Sequence, residues 1–408
     1  MIGHLVTLIW NRRRANALIL IELVAAFLVL AGLGTAAAYH LDNARRPLGY
    51  DTAPVWAVSV GHGIARREGV PEAVMAEAMA TTKHLLETAR DLPEVEAAAT
   101  ALTGPILQGM RNTEKSDDPE IPPRGRGLIF DVDNVSDDFA RVMGLQVLRG
   151  RWFGREDDGA AYEPAVINDD MARDFFGDAD PLGQQVGSAG AKRPVRVVGV
   201  VAGYRQRGDL SPPVRYMFRR YIPGHAWELP YHRLLIKTRA GTGAAFEATL
   251  GQRLRAIASS TWSFGITRLD EARKSRTRFA LVPLKAVAIV AGFLILMVVL
   301  GLTGVLWQNV AQRTKEIGLR RAKGATGLHI HGQILGELMI LSAIAIALGS
   351  VLVVHVPLLG LVEGLAARVY LQGLAAGAVV VLLIISLCGT YPAWMAARVQ
   401  PALALRDE

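Results

Sequence analysis

Cysteine is almost missing from this 408-residue chain. The one thiol, Cys388, cannot staple anything, so every folded part must hold together by its own core. Cys388 itself lies in an apolar run and reads as a small helix residue. The Gly-x-x-x-x-Gly-Lys-Ser/Thr loop that cradles nucleotide phosphates is also missing. Gly324-Ala-Thr-Gly and Gly190-Ala-Lys lack its strand–loop–helix setting, so no ATP hydrolysis by that route is expected from this chain. There is no Gly-x-Ser-x-Gly elbow and no Cys/His pairing. Asp131, Asp133, Asp137 and Asp138 crowd together without the glycine and closing glutamate of an EF-hand. Asp157/Asp158 and Asp169/Asp170 read as turns and helix starts. His329 and His331 have no companion at zinc-site spacing. No catalytic, cofactor-binding or metal-binding residue is therefore assigned.

Charge is the third scarcity, and it is local. Ala286–Trp307, Leu338–Val362 and Leu371–Met395 hold no Asp, Glu, Lys or Arg, and Ala17–Ala38 holds only Glu22. Each run has about the ~20 residues that carry a helix across a ~30 Å hydrocarbon core, where only a helix satisfies its own backbone. The chain as a whole is 51% hydrophobic with a net charge of +8 and a mean hydropathy of +0.26. Its basic residues cluster beside the apolar runs, as topology determinants do, and none forms a base-reading fold, so nucleic acid is not an expected partner.

The expected fold is therefore a membrane protein of four transmembrane α-helices, with a large mixed α+β extracytoplasmic domain inserted between the first and second. Arg12, Arg13 and Arg14 place the start of the first span inside. Arg313, Lys315, Arg320, Arg321 and Lys323, against Glu316 alone, place the second connection inside as well. The divisions are a cytoplasmic N-terminus at 1–16, spans at 17–39, 284–309, 333–362 and 371–395, and the outer domain at 40–270. A stalk at 271–283, a cytoplasmic loop at 310–332, an outer loop at 363–370 and a cytoplasmic C-terminus at 396–408 complete them. The first run also has the look of a secretory signal ending at Ala36-Ala37-Ala38, but its length and Glu22 favour a retained anchor. Glu22 lies about 7 Å along the helix from Ala17 at ~1.5 Å per residue, and is read as a carboxylate snorkelling to the cytoplasmic face.

Within the outer region, Pro71–Leu92 and Thr242–Ser259 carry helical periodicity, with Thr242 a candidate N-cap. Val55–Val60, Arg196–Val201 and Leu234–Thr238 read as strands. The polar, proline-rich Arg111–Arg126 divides the region into an earlier and a later half. Asp270 is read as the N-cap of a charged helix running into the second span, with a kink at Pro283.

One segment is more specific. Arg313-Thr-Lys-Glu-Ile-Gly-Leu-Arg-Arg-Ala-Lys-Gly-Ala-Thr326 interleaves charge with Ile317, Leu319 and Ala322 as a short amphipathic helix would, suited to a partner groove or to anionic headgroups. It closely resembles the cytoplasmic loop after the second span of MacB/FtsX-like ABC-transporter permeases. Tyr391-Pro-Ala-Trp-Met-Ala-Ala-Arg398 with Pro401–Arg406 looks like that family's ending. Arg149-Gly-Arg-Trp-Phe153, and Phe175–Gly183 leading to Val197–Val201, are similar to its MacB-type periplasmic core domain.

The resemblance implies a non-catalytic subunit of the bacterial inner membrane, with no cofactor of its own and with ATP and magnesium used by a partner. It implies a coupling loop built from Arg313, Glu316, Ile317, Gly318, Leu319, Arg320, Arg321, Gly324, Ala325 and Thr326. Two ABC ATPase subunits, a second permease copy or paralogue, a periplasmic adaptor with a TolC-like outer-membrane channel, and membrane lipid are the implied partners. MacB carries its ATPase ahead of the first span, whereas sixteen residues precede Ala17 here, so a separate ATPase chain is expected. The implied function is efflux of a peptide, antibiotic, toxin or similar amphiphile by mechanotransmission. Activation of a cell-wall hydrolase, as in FtsX-like members, and lipoprotein extraction are the alternatives.

Overall fold

The structure is a computed structural model. It describes residues 13–64, 69–106, 112–117, 121–186, 193–221, 230, 232–312, 319, 322, 325–358 and 365–397. The chain divides into two compact units, residues 43–280 and residues 1–42 with 281–408.

Helix α1 (Arg13–Ala44) leads into the first of these. Its elements are β1 (Val55–Gly61), α2 (Glu72–Arg90), β2 (Val95–Ala101), β3 (Thr113–Lys115), β4 (Ile129–Val135), α3 (Phe139–Met143) and β5 (Val147–Gly150). They continue with β6 (Glu163–Asn168), α4 (Asp169–Phe176), β7 (Gln185–Val186), β8 (Val195–Val201), β9 (Tyr216–Arg220) and β10 (Arg233–Thr238). The last are α5 (Ala245–Ile257), β11 (Ser263–Arg268) and α6 (Leu269–Ala280). The strands follow the order β11-β1-β10-β2-β4-β9-β6-β8-β5. The β11-β1-β10-β2 half is antiparallel throughout. It meets the β4 half through the single pair Ala101↔Val135. Strands β3 to β9 in chain order are thus an insertion between β2 and β10. The earlier-and-later division expected at Arg111–Arg126 gives way to this nesting: the first half-sheet is completed only when the chain returns at β10.

Alternation in the strands builds three apolar layers. Val55 and Ala57 of β1 face one core with Leu235, Tyr216 and Phe218, and that core runs beneath both halves. Trp56, Val58 and Val60 face the other side, against Leu85 of α2 and Phe246, Leu250 and Leu254 of α5. On the β4 half, Phe130, Val132 and Met217 turn the opposite way, onto Met171, Phe175 and Phe176 of α4. Each fully buried leucine or phenylalanine here contributes about 1.5–3 kcal/mol.

Two helix starts differ from expectation. Helix α5 begins at Ala245 with Ala244 at its N-cap; the Thr242 hydroxyl instead donates to the Arg239 carbonyl at 2.8 Å. Asp270 sits inside the first turn of α6, where it pairs with Arg268 at 3.0 Å. Leu281 separates α6 from α7 (Val282–Gln312). Pro283 therefore falls in the first turn of α7, where a missing N–H costs no helical bond.

The other unit holds α1, α7, α8 (Gly327–Leu358) and α9 (Ala367–Ala397). All four are long and apolar enough to cross a membrane. Small residues let them pack closely. A Cβ on Gly373 would lie 2.5 Å from the Thr35 nitrogen and one on Gly377 2.9 Å from the Ala31 nitrogen, so a Gly-x-x-x-Gly face of α9 lies against α1. Phe27, fully buried, fills the space over Gly349 of α8. Glu22 lies against Gly301 of α7, within 3 Å of where a Cβ would be.

Candidate functional site

Of the ten residues assigned to the coupling loop, Arg313, Glu316, Ile317, Gly318, Arg320, Arg321 and Gly324 lie outside the described residues. Leu319 is helical and exposed, and Ala325 precedes α8. Thr326 acts locally, since its hydroxyl and carbonyl both accept from the His329 amide, at 3.3 and 3.1 Å. That is the N-cap of α8.

A second constellation, unanticipated from sequence, ties together the two ends of the 43–280 unit. Arg205 follows β8 and is 2% exposed. One terminal nitrogen donates to the carbonyls of Asn43 at 2.7 Å and Arg46 at 2.8 Å, just past α1. The other donates to the carbonyls of Asp209 and Ser211 in its own loop. Asp209 then takes a two-pronged bond from Arg273 of α6, at 2.7 and 2.8 Å. The chain entering at Asn43 and the helix leaving at Ala280 thus share one loop as anchor. A guanidinium suits this because its planar fork reaches several acceptors at once. The Arg273 charge is held protonated more firmly by its hydrogen bonds to Asp209.

Aromatic rings back this loop. Tyr50 donates to the Arg205 carbonyl at 3.1 Å, and the rings of Tyr50, Tyr204 and Tyr216 pack tilted against one another with centroids 5.0 and 4.6 Å apart. Burial pushes all three hydroxyls well above the ordinary tyrosine value, most directly by desolvation. Beneath them Asp133 is fully buried and accepts from the amides of Leu102, Thr103 and Gly104 at 3.0, 2.9 and 2.8 Å. Desolvation raises its pKa while those amides oppose the rise.

The remaining acids have structural partners. Asp137 receives a two-pronged bond from Arg220, Asp138 pairs with Arg90 at 2.6 Å, and Asp157 with Arg151. Asn168 caps α4 by accepting from Met171, with Asp169 and Asp170 in the first turn. Among the described residues no group of three or more His, Cys, Asp or Glu could hold a metal. The motif residues of the outer segments also build the fold. A Cβ on Gly150 would meet the Val198 carbonyl at 2.3 Å and one on Gly199 the Arg151 carbonyl at 2.0 Å, so both glycines permit β5 to close on β8. Trp152 stacks on Phe139 and packs tilted against Phe153 and Phe218.

Arg205, Asp209 and Arg273 carried little signal in sequence. Tyr204–Asp209 reads as a polar turn after a strand, and Arg273 belongs to a charged run.

Four apolar helices and an α/β domain threaded between the first two define a multi-pass membrane protein with a large domain on one side. Its relatives narrow the class. The family model for a MacB-like periplasmic core domain matches residues 17–253, and that for the FtsX-like permease C-terminal region matches residues 288–401. The chain belongs to the MacB/FtsX-like family of ABC-transporter permeases. It is 26% identical over 407 residues to the macrolide export ATP-binding/permease protein MacB of Bdellovibrio bacteriovorus, covering 94% of this chain and 58% of that one. It is 24% identical over 297 residues to the uncharacterized ABC transporter permease YknZ of Bacillus subtilis, covering 68% and 70%. The chain thus spans little more than half the length of that MacB relative. Among solved structures, the periplasmic region of MacB from Actinobacillus actinomycetemcomitans aligns with 55% of this chain and 92% of its own, at 16% identity and a TM-score of 0.37.

Proposed function

We propose that this permease works with ABC ATPase subunits on separate chains, two per pair of permeases, and converts their ATP-driven closure into movement of its 43–280 unit. It sits in the bacterial inner membrane with both termini in the cytoplasm and that unit in the periplasm. The 310–332 connection meets the ATPase, with Glu316, Arg320 and Arg321 forming a charged rim around Ile317 and Leu319. ATP and magnesium are bound by the partner, and this chain contributes no catalytic group. The work done is efflux of an amphiphile, in keeping with the macrolide export for which the MacB relatives are named, through an adaptor and outer-membrane channel.

The observation that supports this reading is the Arg205–Asp209–Arg273 link. A domain that is to be moved by two helices needs its entry and exit segments joined, so that displacement of either reaches the whole fold. Here one buried guanidinium and one carboxylate do so. The test is replacement of Glu316 or Arg320 by alanine in the complex purified with its ATPase. Transport and stimulation of the ATPase are expected to be lost while expression is unchanged. Unimpaired stimulation would refute the docking role, and a reporter fused near Gly208 that proved cytosolic would refute the topology.

A further inference from the structure

The four-helix unit contains a groove of about 470 Å³ lined by α1, α8 and the start of α9. Its wall on α1 runs from Leu28 past Gly32 and Ala36 to Tyr39, and the opposite wall is Leu352, Val353 and Tyr370. Gly32 opens onto the hollow: nothing lies within 4 Å of where its Cβ would be. The lining is apolar. Thr35 also borders the groove, but its hydroxyl is already given to the Ala31 carbonyl at 2.8 Å.

Leu28 and Tyr39 are eleven residues apart, about 16 Å along a helix at ~1.5 Å per residue. That is half of a ~30 Å hydrocarbon core, the depth of one leaflet. Polarity marks one end as the headgroup level. Tyr39 and Tyr370 lie there, as rings with an apolar body and a polar tip do at an interface. One turn beyond Tyr39, Asp42 is ion-paired with Arg368, a pair that belongs at the headgroups rather than in hydrocarbon.

We propose that this groove holds one acyl chain of a membrane phospholipid. The chain's glycerol end lies at Tyr39 and Tyr370 and its methyl end at Leu28, in the leaflet on the side where residues 43–280 attach. The groove's length, its single polar end and the absence of a protein side chain at Gly32 all fit that occupant. A free solute would find no hydrogen-bonding group along most of the length.

The test uses the full-length protein in nanodiscs of phosphatidylethanolamine and phosphatidylglycerol, doped with a phosphatidylcholine bearing a diazirine near the end of one acyl chain. After irradiation, peptide mass spectrometry is expected to find adducts at Leu28 and at Leu352–Val353. Gly32→Leu fills the groove and should lower those adducts by about tenfold, the factor that a loss of ~1.4 kcal/mol implies. Adducts at Ile289 and Phe293, exposed on α7, should not change. Gly32→Ser adds one small group and should keep most of the labelling, which separates filling from misfolding. Equal labelling of Leu28 and Leu352 in wild type and Gly32→Leu, or adducts on α7 alone, would overturn the proposal.

Discussion

Replacing Arg205 by methionine would keep much of the aliphatic stem and delete every donor that links Asn43 and Arg46 to Asp209 and Ser211. Four bonds from a charged donor at about 1.5 kcal/mol each give ~6 kcal/mol gross. Against this, the variant no longer desolvates a cation, which costs several kcal/mol. The net loss is about 2–4 kcal/mol, large beside a domain stability of ~5–15 kcal/mol. It should be local, because the apolar layers are untouched. Hydrogen exchange of the full-length protein reads it directly. The Arg46 amide, bonded to the Asn43 carbonyl, and the Ser211 amide, bonded to the Gly208 carbonyl, should exchange roughly 30- to 1,000-fold faster, at ~1.4 kcal/mol per decade. Amides in β1, β10 and α5 should hardly move. Arg205→Lys should lose most of the same protection, since one ammonium cannot span four carbonyls. Unchanged protection at both segments would refute the anchoring role; an equal loss throughout the domain would show Arg205 to be ordinary packing.

Two other outcomes are expected. His62 and His232 stack at 4.7 Å, and burial, then the neighbouring His232, push the His62 pKa down to about 4. Protonation is harder in the fold than in the unfolded chain, so this stability is present above pH ~6.5 and is lost as pH falls toward 4; discounted for partial exposure it amounts to ~1–2 kcal/mol, and a His62→Phe variant followed by thermal unfolding across that window should show a flatter profile. In the helical unit, Gly373→Leu must drive α9 away from the Thr35 backbone, costing about 1–3 kcal/mol and lowering the melting temperature in detergent. Gly304→Leu, at a site where an added Cβ meets nothing within 4 Å, is the matched control, and equal melting of the two variants would refute the packing.

The helices and the strands of the sheet were legible to different depths. The four long helices could be read because apolarity over ~20 residues is a local property, independent of what each helix packs against. Strands β1, β8 and β10 were visible through alternation and β-branching. The helix starts read at Thr242 and Asp270 each miss by two residues, because a capping side chain is only a local preference: α5 begins after Ala244, which offers no side-chain cap, and α6 is already helical at the buried Leu269. The nesting of one half-sheet inside another was invisible, since pairing β2 with β10 joins segments more than a hundred residues apart. The same holds for the anchor, whose partners Asn43 and Arg205 are 162 positions apart.

The sequence alone determined the membrane character, the number of long apolar helices, the region set between the first two, and the family. Each rests on composition over short windows or on contiguous motifs. Only the tertiary structure decided which buried arginine joins entry to exit, which acids are satisfied by arginines, and where Gly32 opens a groove. These depend on which distant segments become neighbours, and electrostatic and packing energies act through space rather than along the chain.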